Sequence, residues 1–257
     1  MTFDELKKLL SFSDSAATEA YWILSENLSD SDIYKIVEQY KSGAPLSKIL
    51  GHRGFWKGDF IVNEDVLDPR PDSETLIQAV LDKFPDRNKS LHILDLGTGS
   101  GCLLISLLME YKNAFAIGID ISEKAIEIAQ KNAYKNKVKA EFILTDMAKL
   151  NPKLGNFDFV ISNPPYIPTK DIENLDKNVK NYDPLLALDG GNDGLNFYRI
   201  IAKIAPAPIV FVEIGIGQEQ DVKIIFEELN WQLLDTKKDF GGVKRVLIFK
   251  NLIKNPF

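Results

Sequence analysis

Apolar residues recur every three or four positions through the first fifty residues of the chain, which is the spacing of one helix face. Three stretches show this pattern, at residues 2–12, 15–28 and 29–43. Serine or aspartate stands near the start of each stretch, and both residue types cap helix N-termini. The pattern predicts a small helical N-terminal domain over residues 1–50.

The pattern changes between residues 43 and 71, where glycine, proline and alternating aromatic residues replace the helical spacing. Such alternation predicts paired extended segments, and we expect a linker hairpin over residues 51–70. Helical spacing returns in residues 72–84, where Asp72 or Ser73 can cap the helix.

From residue 91 onward, strand-like apolar runs alternate with amphipathic helical stretches. The predicted strands are 91–97, 114–120, 139–146, 157–163 and 208–215, and the predicted helices are 101–112, 122–136, 194–205 and 217–229. Such alternation predicts a mainly parallel sheet with helices on both faces. Two final runs, 231–238 and 244–250, have no clear helix between them and predict an antiparallel edge hairpin. We therefore expect a Rossmann-like α/β fold over residues 71–257, with a doubly wound, mainly parallel seven-stranded sheet.

Composition narrows the classes of function. The 257 residues are 45% hydrophobic, and a formal net charge of −6 argues against a broad basic surface for nucleic acid. The single cysteine, Cys102, excludes an intrachain disulfide, and with two histidines in the chain we expect no metal site. The acidic N-terminus is not a secretory signal, and no run approaches the roughly 18 apolar residues of a membrane span. We expect a soluble cytoplasmic protein without a membrane partner.

A glycine-rich loop, made by Gly97, Thr98, Gly99, Ser100 and Gly101, lies between a predicted strand and a predicted helix. Alternate glycines let the backbone turn sharply and approach a ligand closely. Their spacing departs from the dinucleotide-binding G-x-G-x-x-G pattern, and no lysine follows to make a phosphate-binding Walker loop. Taken alone, the loop leaves a cofactor-binding turn and a structural turn both open.

Acidic residues end the next two predicted strands. Asp120 lies roughly 20 residues after the glycine loop, where a carboxylate can accept hydrogen bonds from both ribose hydroxyls. Asp146 can accept from an adenine amino group, with Met147 against the ring, although a helix cap or solvated turn explains Asp146 equally well. Because parallel strands end at one edge of a sheet, these residues predict a nucleoside site there. Asp95 is expected to orient the glycine loop or to meet the cofactor's ammonium group.

A fourth predicted strand ends in Asn163, Pro164, Pro165 and Tyr166 at the same edge. Neither proline can donate a hydrogen bond to a sheet, and the first disfavours helical geometry at Asn163. This segment, residues 163–166, is therefore predicted to be a rigid extended loop, which we call the proline loop. The order of these features resembles class I S-adenosylmethionine-dependent methyltransferases that act on nitrogen in planar groups. That resemblance implies S-adenosyl-L-methionine as cofactor and S-adenosyl-L-homocysteine as product. The implied cofactor-binding residues are Gly97, Thr98, Gly99, Ser100, Gly101, Asp120, Asp146, Met147 and Asn163.

The proline loop suits the chemistry of an amide nitrogen, which is a poor nucleophile because its lone pair is delocalised into the carbonyl. The Asn163 side-chain oxygen and the Pro164 backbone carbonyl can accept its two N–H bonds, and Tyr166 can stack on the planar group. Catalysis of this kind is mainly positioning and electrostatics. We therefore expect Asn163, Pro164 and Tyr166 to be catalytic, and these three with Pro165 to bind the substrate.

Two longer segments, residues 43–76 and 181–199, resemble the linker and the stretch after the proline loop in bacterial release-factor glutamine methyltransferases, the HemK/PrmC family. The resemblance implies N5-methylation of the glutamine in the Gly-Gly-Gln motif of peptide chain release factors, in translation termination. It also implies that the helical N-terminal domain grips the release factor. We expect a monomer that needs no direct contact with nucleic acid.

Several positions depart from this family pattern. Lys48 stands where an aromatic residue is usual, and Asp68 stands where an aliphatic residue is common. Arg70 and Glu74 either close over the active site or form a structural junction between hairpin and helix. Arg199 is expected to be a surface or structural charge.

Two alternatives remain open from the sequence. DNA adenine and ribosomal RNA guanine N-methyltransferases share the glycine loop and the proline loop, although the acidic charge argues against phosphate binding. A non-catalytic S-adenosylmethionine-binding protein could keep the same fold, but the intact Asn-Pro-Pro-Tyr sequence argues against decay of the active site. A dehydrogenase is disfavoured by the glycine spacing.

Overall fold

Helices at the start of the chain enclose a small apolar core of their own in the computed structural model, which describes residues 1–150 and 154–253. Thr2 and Glu5 form a reciprocal capping box on the first helix, and the Ser29 side chain accepts a hydrogen bond from the Asp32 amide at the third. The helices are α1 (Phe3–Leu9), α2 (Ala16–Ser25), α3 (Asp30–Lys41) and α4 (Leu46–Leu50).

A two-stranded hairpin follows α4 and packs on the larger domain. Its strands are β1 (His52–Phe55) and β2 (Gly58–Ile61), and residues 62–70 form no strand. Gly51 ends α4 in the left-handed conformation, at φ 79°, which explains how a short helix fits into a stretch with an extended pattern. The side chains of Asn132 and Asn136 accept hydrogen bonds from the amides of Ile61 and Asp59, at 2.6 and 3.1 Å.

The seven-stranded sheet has the order β5-β4-β3-β6-β7-β9-β8 and confirms the predicted fold class. The first five strands in that order are parallel, and β9 is antiparallel to both β7 and β8. The strands are β3 (His92–Leu96), β4 (Phe115–Asp120), β5 (Glu141–Leu144), β6 (Phe159–Ser162), β7 (Ile209–Glu213), β8 (Trp231–Lys238) and β9 (Lys244–Asn251). The accompanying helices are α5 (Glu74–Lys83), α6 (Cys102–Glu110), α7 (Glu123–Lys135), α8 (Lys177–Lys180), α9 (Asn196–Ile204) and α10 (Glu219–Glu227).

Apolar side chains cover both faces of the sheet, because successive strand residues point to opposite sides. Ile93 and Phe159 pack on one face with leucines of α5 and α6, whereas Leu94 and Val160 pack on the other with α9 and α10. Continuous apolar strands of this kind are typical of parallel sheets that are buried on both faces.

The strand order reverses between β3 and β6, since β4 and β5 lie on one side of β3 and β6 and β7 on the other. Ligands of open α/β sheets bind outside the carboxyl ends of the strands at such a reversal. Among the helices described, none is long and apolar enough to cross a membrane.

Candidate active site

A cavity of about 270 Å³ opens at the carboxyl ends of β3, β4, β5 and β6. It brings together the predicted residues Gly97, Thr98, Gly99, Ser100, Asp120, Asp146, Met147, Asn163 and Pro165. Three other predicted site residues, Gly101, Pro164 and Tyr166, lie outside its lining. Within the described ranges, no group of three or more histidine, cysteine, aspartate or glutamate side chains is arranged to hold a metal ion.

The glycine loop turns sharply because Gly97, Gly99 and Gly101 all have positive φ, at 74°, 54° and 79°. The amides of Gly97 and Thr98 both donate to the Ile119 carbonyl at 2.9 Å, which ties the loop to β4. A Cβ on Gly99 would meet no heavy atom of the described residues within 4 Å, so this side of the loop is open. The loop therefore leaves room for a ligand to approach the backbone.

Gly101 is more closely surrounded than Gly97 and Gly99, the other two glycines of the loop. A Cβ at this position would lie 2.9 Å from the Ile105 side chain and 3.2 Å from the Ala129 side chain. The glycine therefore allows α6 and α7 to pack closely, and this packing fixes the helix that begins at the loop.

Asp120 ends β4 and holds the glycine loop through its carboxylate. Its Oδ2 accepts from the Gly99 amide and its Oδ1 from the Ser122 amide, both at 2.9 Å. Burial raises the pKa of Asp120, and these two hydrogen bonds lower it in part. Each carboxylate oxygen has a second acceptor site, so Asp120 can fix the loop and still accept hydrogen bonds from ligand hydroxyls.

Asp146 caps a helical turn and also borders the cavity. Its Oδ1 accepts from the Ala148 amide at 2.9 Å and caps a single helical turn, while the residue also lines the cavity. Met147 is 9% exposed, and its Cε would lie 3.6 Å from a Cβ on Gly97. The thioether thus forms an apolar surface beside the glycine loop.

Asp95 orients the loop from beneath. Its buried Oδ2 accepts a hydrogen bond from the Thr98 hydroxyl at 2.7 Å, whereas its Oδ1 has no hydrogen-bond partner among the described residues. Burial raises the pKa of Asp95 to about 7, against the hydrogen bond from Thr98. The geometry supports the first of the two roles expected for Asp95.

Asn163 follows β6 directly and connects the proline loop to the start of α5. Its Nδ2 donates to the Ser73 hydroxyl at 3.2 Å. Asn163 and Pro165 face the cavity that the glycine loop also lines. The amide side chain and the nucleoside pocket predicted from separate motifs therefore share one space.

Gln218 holds the end of the proline loop. Its Nε2 donates to the Tyr166 carbonyl and its Oε1 accepts from the Gly215 amide, both at 2.9 Å. Burial raises the pKa of Tyr166 to about 12, so its phenol stays protonated at neutral pH. Because Gln218 lies at the start of a helix with no distinctive local pattern, sequence reasoning missed this contact.

A second glycine-rich segment, residues 190–194, packs against the proline loop. A Cβ on Gly190 would lie 2.8 Å from the Tyr166 Cα, and one on Gly194 would lie 2.3 Å from the Tyr166 carbonyl oxygen. These distances explain why two glycines stand there: a side chain at either position would displace the proline loop.

The cavity rim includes residues that the sequence did not assign to the site, among them Val66, Leu67, Leu186 and Phe197. Arg70 also lines it, and its Nη2 donates to the Asp183 carboxylate at 2.6 Å. The sequence did contain one sign of these residues, because they lie in the two segments, 43–76 and 181–199, that resemble the same family pattern.

The two other charged residues left open by the sequence have structural contacts. Glu74 accepts a hydrogen bond from the Trp56 amide at 2.7 Å, so it forms the junction between hairpin and helix. Arg199 pairs with Asp193 at 2.6 Å on the surface, with 48% of the arginine side chain exposed.

These residues fit a nucleoside cofactor, because an open glycine turn, a carboxylate with free acceptor sites and an apolar methionine surface border one cavity. A family model described as a methyltransferase domain matches residues 87–191. In solved structures, a methyltransferase from Pyrococcus furiosus aligns with a TM-score of 0.55 at 18% identity, covering 86% of this chain and 98% of that one. This structural likeness concerns the fold.

Two relatives match most of the chain. A release factor glutamine methyltransferase of Agrobacterium fabrum is 42% identical over 226 residues, which is 85% of this chain and 78% of the relative. A protein of the same description from Rhodospirillum rubrum is 42% identical over 231 residues, which is 86% of this chain and 69% of the relative.

Proposed function

This chain belongs to the family of release factor glutamine methyltransferases, and on that basis we propose its reaction. It transfers a methyl group from S-adenosyl-L-methionine to the side-chain nitrogen, N5, of the glutamine in the Gly-Gly-Gln motif of peptide chain release factors. The observation that carries the proposal is the single cavity lined by the glycine loop, Asp120 and Asn163. In this proposal the cavity holds the nucleoside of the cofactor and the substrate amide side by side.

The cofactor supplies an electrophilic methyl group bonded to a positively charged sulfur. The residues proposed to hold it are the glycine loop, Asp120, Asp146 and Met147, with Asn163 at the border of the pocket. Asp120 offers acceptor sites for the ribose hydroxyls, and Met147 offers an apolar surface for the base. Support comes from the open turn at Gly99 and from the acceptor sites that Asp120 retains.

Asn163 and Pro164 are proposed to bind the substrate amide. The side-chain oxygen of Asn163 and the backbone carbonyl of Pro164 accept hydrogen bonds from the two N–H groups of the glutamine amide. These hydrogen bonds fix the direction in which the amide nitrogen points. The nitrogen takes the methyl group as its bond to sulfur breaks, S-adenosyl-L-homocysteine leaves, and one proton of the nitrogen passes to water during or after transfer. The chain thus contributes mainly positioning, because the rigid prolines keep both acceptors in place before the substrate arrives.

Tyr166 and Pro165 complete the proposed amide site. Tyr166 is assigned to stacking on the planar amide group, and the contacts of its backbone with Gln218 and the nearby glycines limit its movement. The high pKa of the phenol argues that Tyr166 acts through its ring and not as a base.

Residues 1–50 are proposed as the docking domain for the release factor, residues 51–70 as the linker and residues 71–257 as the methyltransferase domain. The separate apolar core of the first four helices supports this division. Exposed aromatic residues on that region, including Tyr21 at 73% and Tyr34 at 53%, are suited to a protein partner. The net charge of −6 supports a protein substrate over nucleic acid.

The test offers labelled S-adenosyl-L-methionine with one of four substrates: purified release factor, a factor whose motif reads Gly-Gly-Ala, DNA and ribosomal RNA. We expect label on the unaltered factor alone. Label on nucleic acid without label on the factor would overturn the substrate while keeping the nitrogen chemistry. Equal labelling of the Gly-Gly-Ala factor would show that another residue is methylated.

A further inference from the structure

The orientation of the Asn163 amide is decisive for the proposed function, on which this inference rests. The two ends of an asparagine side chain differ: the oxygen accepts hydrogen bonds and the NH₂ group donates them. Only the oxygen can accept a hydrogen bond from the N–H group of a substrate amide. If the Asn163 amide were rotated by half a turn, its NH₂ group would face the N–H group of the substrate and no hydrogen bond could form. The protein must therefore fix which end of the Asn163 amide faces the cavity.

Ser73 provides the first contact with the NH₂ end. Its hydroxyl accepts from Asn163 Nδ2 at 3.2 Å, and Ser73 is 3% exposed. A hydroxyl both donates and accepts, so Ser73 by itself would tolerate either orientation of the amide. A second group that can only accept is needed to select one orientation.

Glu213 lies at the end of β7, beside β6, where Val212 is paired with Ser162. It is 2% exposed, and its Oε2 has no hydrogen-bond partner among the described residues. Burial raises the pKa of Glu213 to about 7, while the nearby Ser73 and Asn163 side chains lower it. At a pKa of about 7 the group is partly protonated at neutral pH, and it is the ionised form that acts here, because a carboxylate accepts hydrogen bonds and donates none.

The charged surroundings of Glu213 come from several elements. Arg245 on β9 lowers its pKa, whereas Asp72 before α5 raises it. The carboxyl in turn raises the pKa values of the phenols of Tyr166 and Tyr198. A buried carboxyl costs folding free energy unless it is compensated, and nothing in the proposed chemistry requires it to contact the substrate.

We propose that Glu213 is a positioning residue for methyl transfer. Its buried carboxylate attracts the NH₂ end of the Asn163 side chain, together with the Ser73 hydroxyl, and keeps the amide oxygen turned toward the substrate nitrogen. Glu213 therefore acts through Asn163 and touches neither the glutamine nor the cofactor.

The test compares two substitutions of Glu213. Glu213→Leu fills the space without an acceptor, and we expect kcat for methylation of the release factor to fall about 100-fold, as for a misplaced reacting group. The KM for the factor and the calorimetric affinity for S-adenosyl-L-methionine are expected to stay as in the wild type. Glu213→Gln keeps the shape of the side chain but adds an NH₂ donor, so it no longer selects one orientation of the Asn163 amide, and we expect it to lower kcat by less than Glu213→Leu does.

Wild-type kcat in Glu213→Leu would overturn the proposal, because packing alone would then suffice. Wild-type kcat in Glu213→Gln would also overturn it, since a group that only accepts hydrogen bonds would then not be required. Failure of the wild type to methylate any release factor would instead refute the proposed function. The two failures are therefore distinguishable.

A matched control uses Glu110, whose side chain is 13% exposed and accepts from the Trp56 indole at 2.7 Å. It lies at the far end of α6 from the glycine loop, so Glu110→Leu is expected to leave kcat unchanged. If Glu213→Leu does not fold, the isosteric Glu213→Gln carries the test. A reduced kcat at unchanged cofactor affinity then supports the proposal, and wild-type kcat contradicts it.

Discussion

Asp120 accepts hydrogen bonds from two backbone amides and retains acceptor sites, which the proposed function assigns to the ribose hydroxyls of the cofactor. We expect Asp120→Ala to weaken S-adenosyl-L-methionine binding by about 2 kcal/mol, the usual contribution of hydrogen bonds to a charged group. Titration calorimetry measures this change directly. Asp221→Ala, which removes an exposed carboxylate from α10, is the control. An unchanged affinity in Asp120→Ala would remove Asp120 from the cofactor site.

Asn163 is expected to separate catalysis from cofactor binding. Asn163→Ala removes the acceptor proposed for the substrate amide, and we expect kcat to fall about 100-fold to 1,000-fold, as when one preorganised polar group is lost. Cofactor affinity is expected to remain largely intact, since Asn163 lies at the border of the pocket. Rapid-quench methyl transfer and calorimetry on the same sample measure both quantities. Equal loss of both would mean that Asn163 is mainly a cofactor residue.

Among the elements of the fold, residues 190–194 contact the proline loop closely and hold it in place. Gly194 has φ 75°, and a Cβ there would lie 2.3 Å from the Tyr166 carbonyl oxygen. Gly43 has φ 99°, and a Cβ there would meet no heavy atom of the described residues within 4 Å. Replacement by any residue with a Cβ would therefore strain the backbone at both positions, but would cause a steric clash only at Gly194.

Alanine at each position isolates the effect of that contact. Gly43→Ala and Gly194→Ala are both expected to lower the free energy of unfolding by about 1 kcal/mol or more through backbone strain. Gly194→Ala alone is expected to reduce kcat, because the proline loop must shift. Urea unfolding and initial rates test the pair, and equal kcat values in the two variants would show that the loop tolerates displacement.

A buried ionic network joins α4, the linker and Asp183, which lies in the loop after α8. Lys48 Nζ donates to the carbonyls of Asn63 and Val66 at 2.6 and 2.5 Å and lies 3.2 Å from Asp183 Oδ1. Asp68 accepts from Ser47 and Arg53 in the same region. Lys48 and Asp68, which the sequence singled out as departures from the family pattern, therefore belong to one network, because the Asp68 amide also donates to Asp183 at 3.1 Å.

Removing one buried partner of this network is expected to cost more stability than removing a surface charge. The side chains of Lys48 and Asp183 are 6% and 2% exposed, so Lys48→Met is expected to lower the free energy of unfolding by about 3 kcal/mol. Lys35 pairs with Asp32 but is 73% exposed, and Lys35→Met is expected to cost under about 1 kcal/mol. Urea denaturation measures both, and similar values would show that Arg70 compensates Asp183 without Lys48.

At the scale of the whole molecule, the sequence predicted the sheet because continuous apolar runs mark the buried strands and helical apolar spacing marks the helices that cover them. It also predicted the cavity, since Gly97, Asp120 and Asn163 all follow strands that run in one direction. The order of strands was not readable, because it depends on which edges pair and not on any local pattern. Glu213 and Gln218 escaped notice for a similar reason: each contacts a partner distant in the chain, and neither belongs to a distinctive motif.

The position of β9 between β7 and β8 has a consequence for biosynthesis. Strand β8 leaves the ribosome before the strand that pairs with it, and β7 keeps an open edge until β9 inserts. Arg245 lies on β9 and reaches Asp72 at 2.9 Å, across 173 residues of chain. In a nascent chain that stops before residue 244, β7 therefore has an unpaired edge and β8 has no partner strand, and such edges are templates for aggregation. Insertion of one late strand closes the sheet and anchors the segment before α5 in the same step.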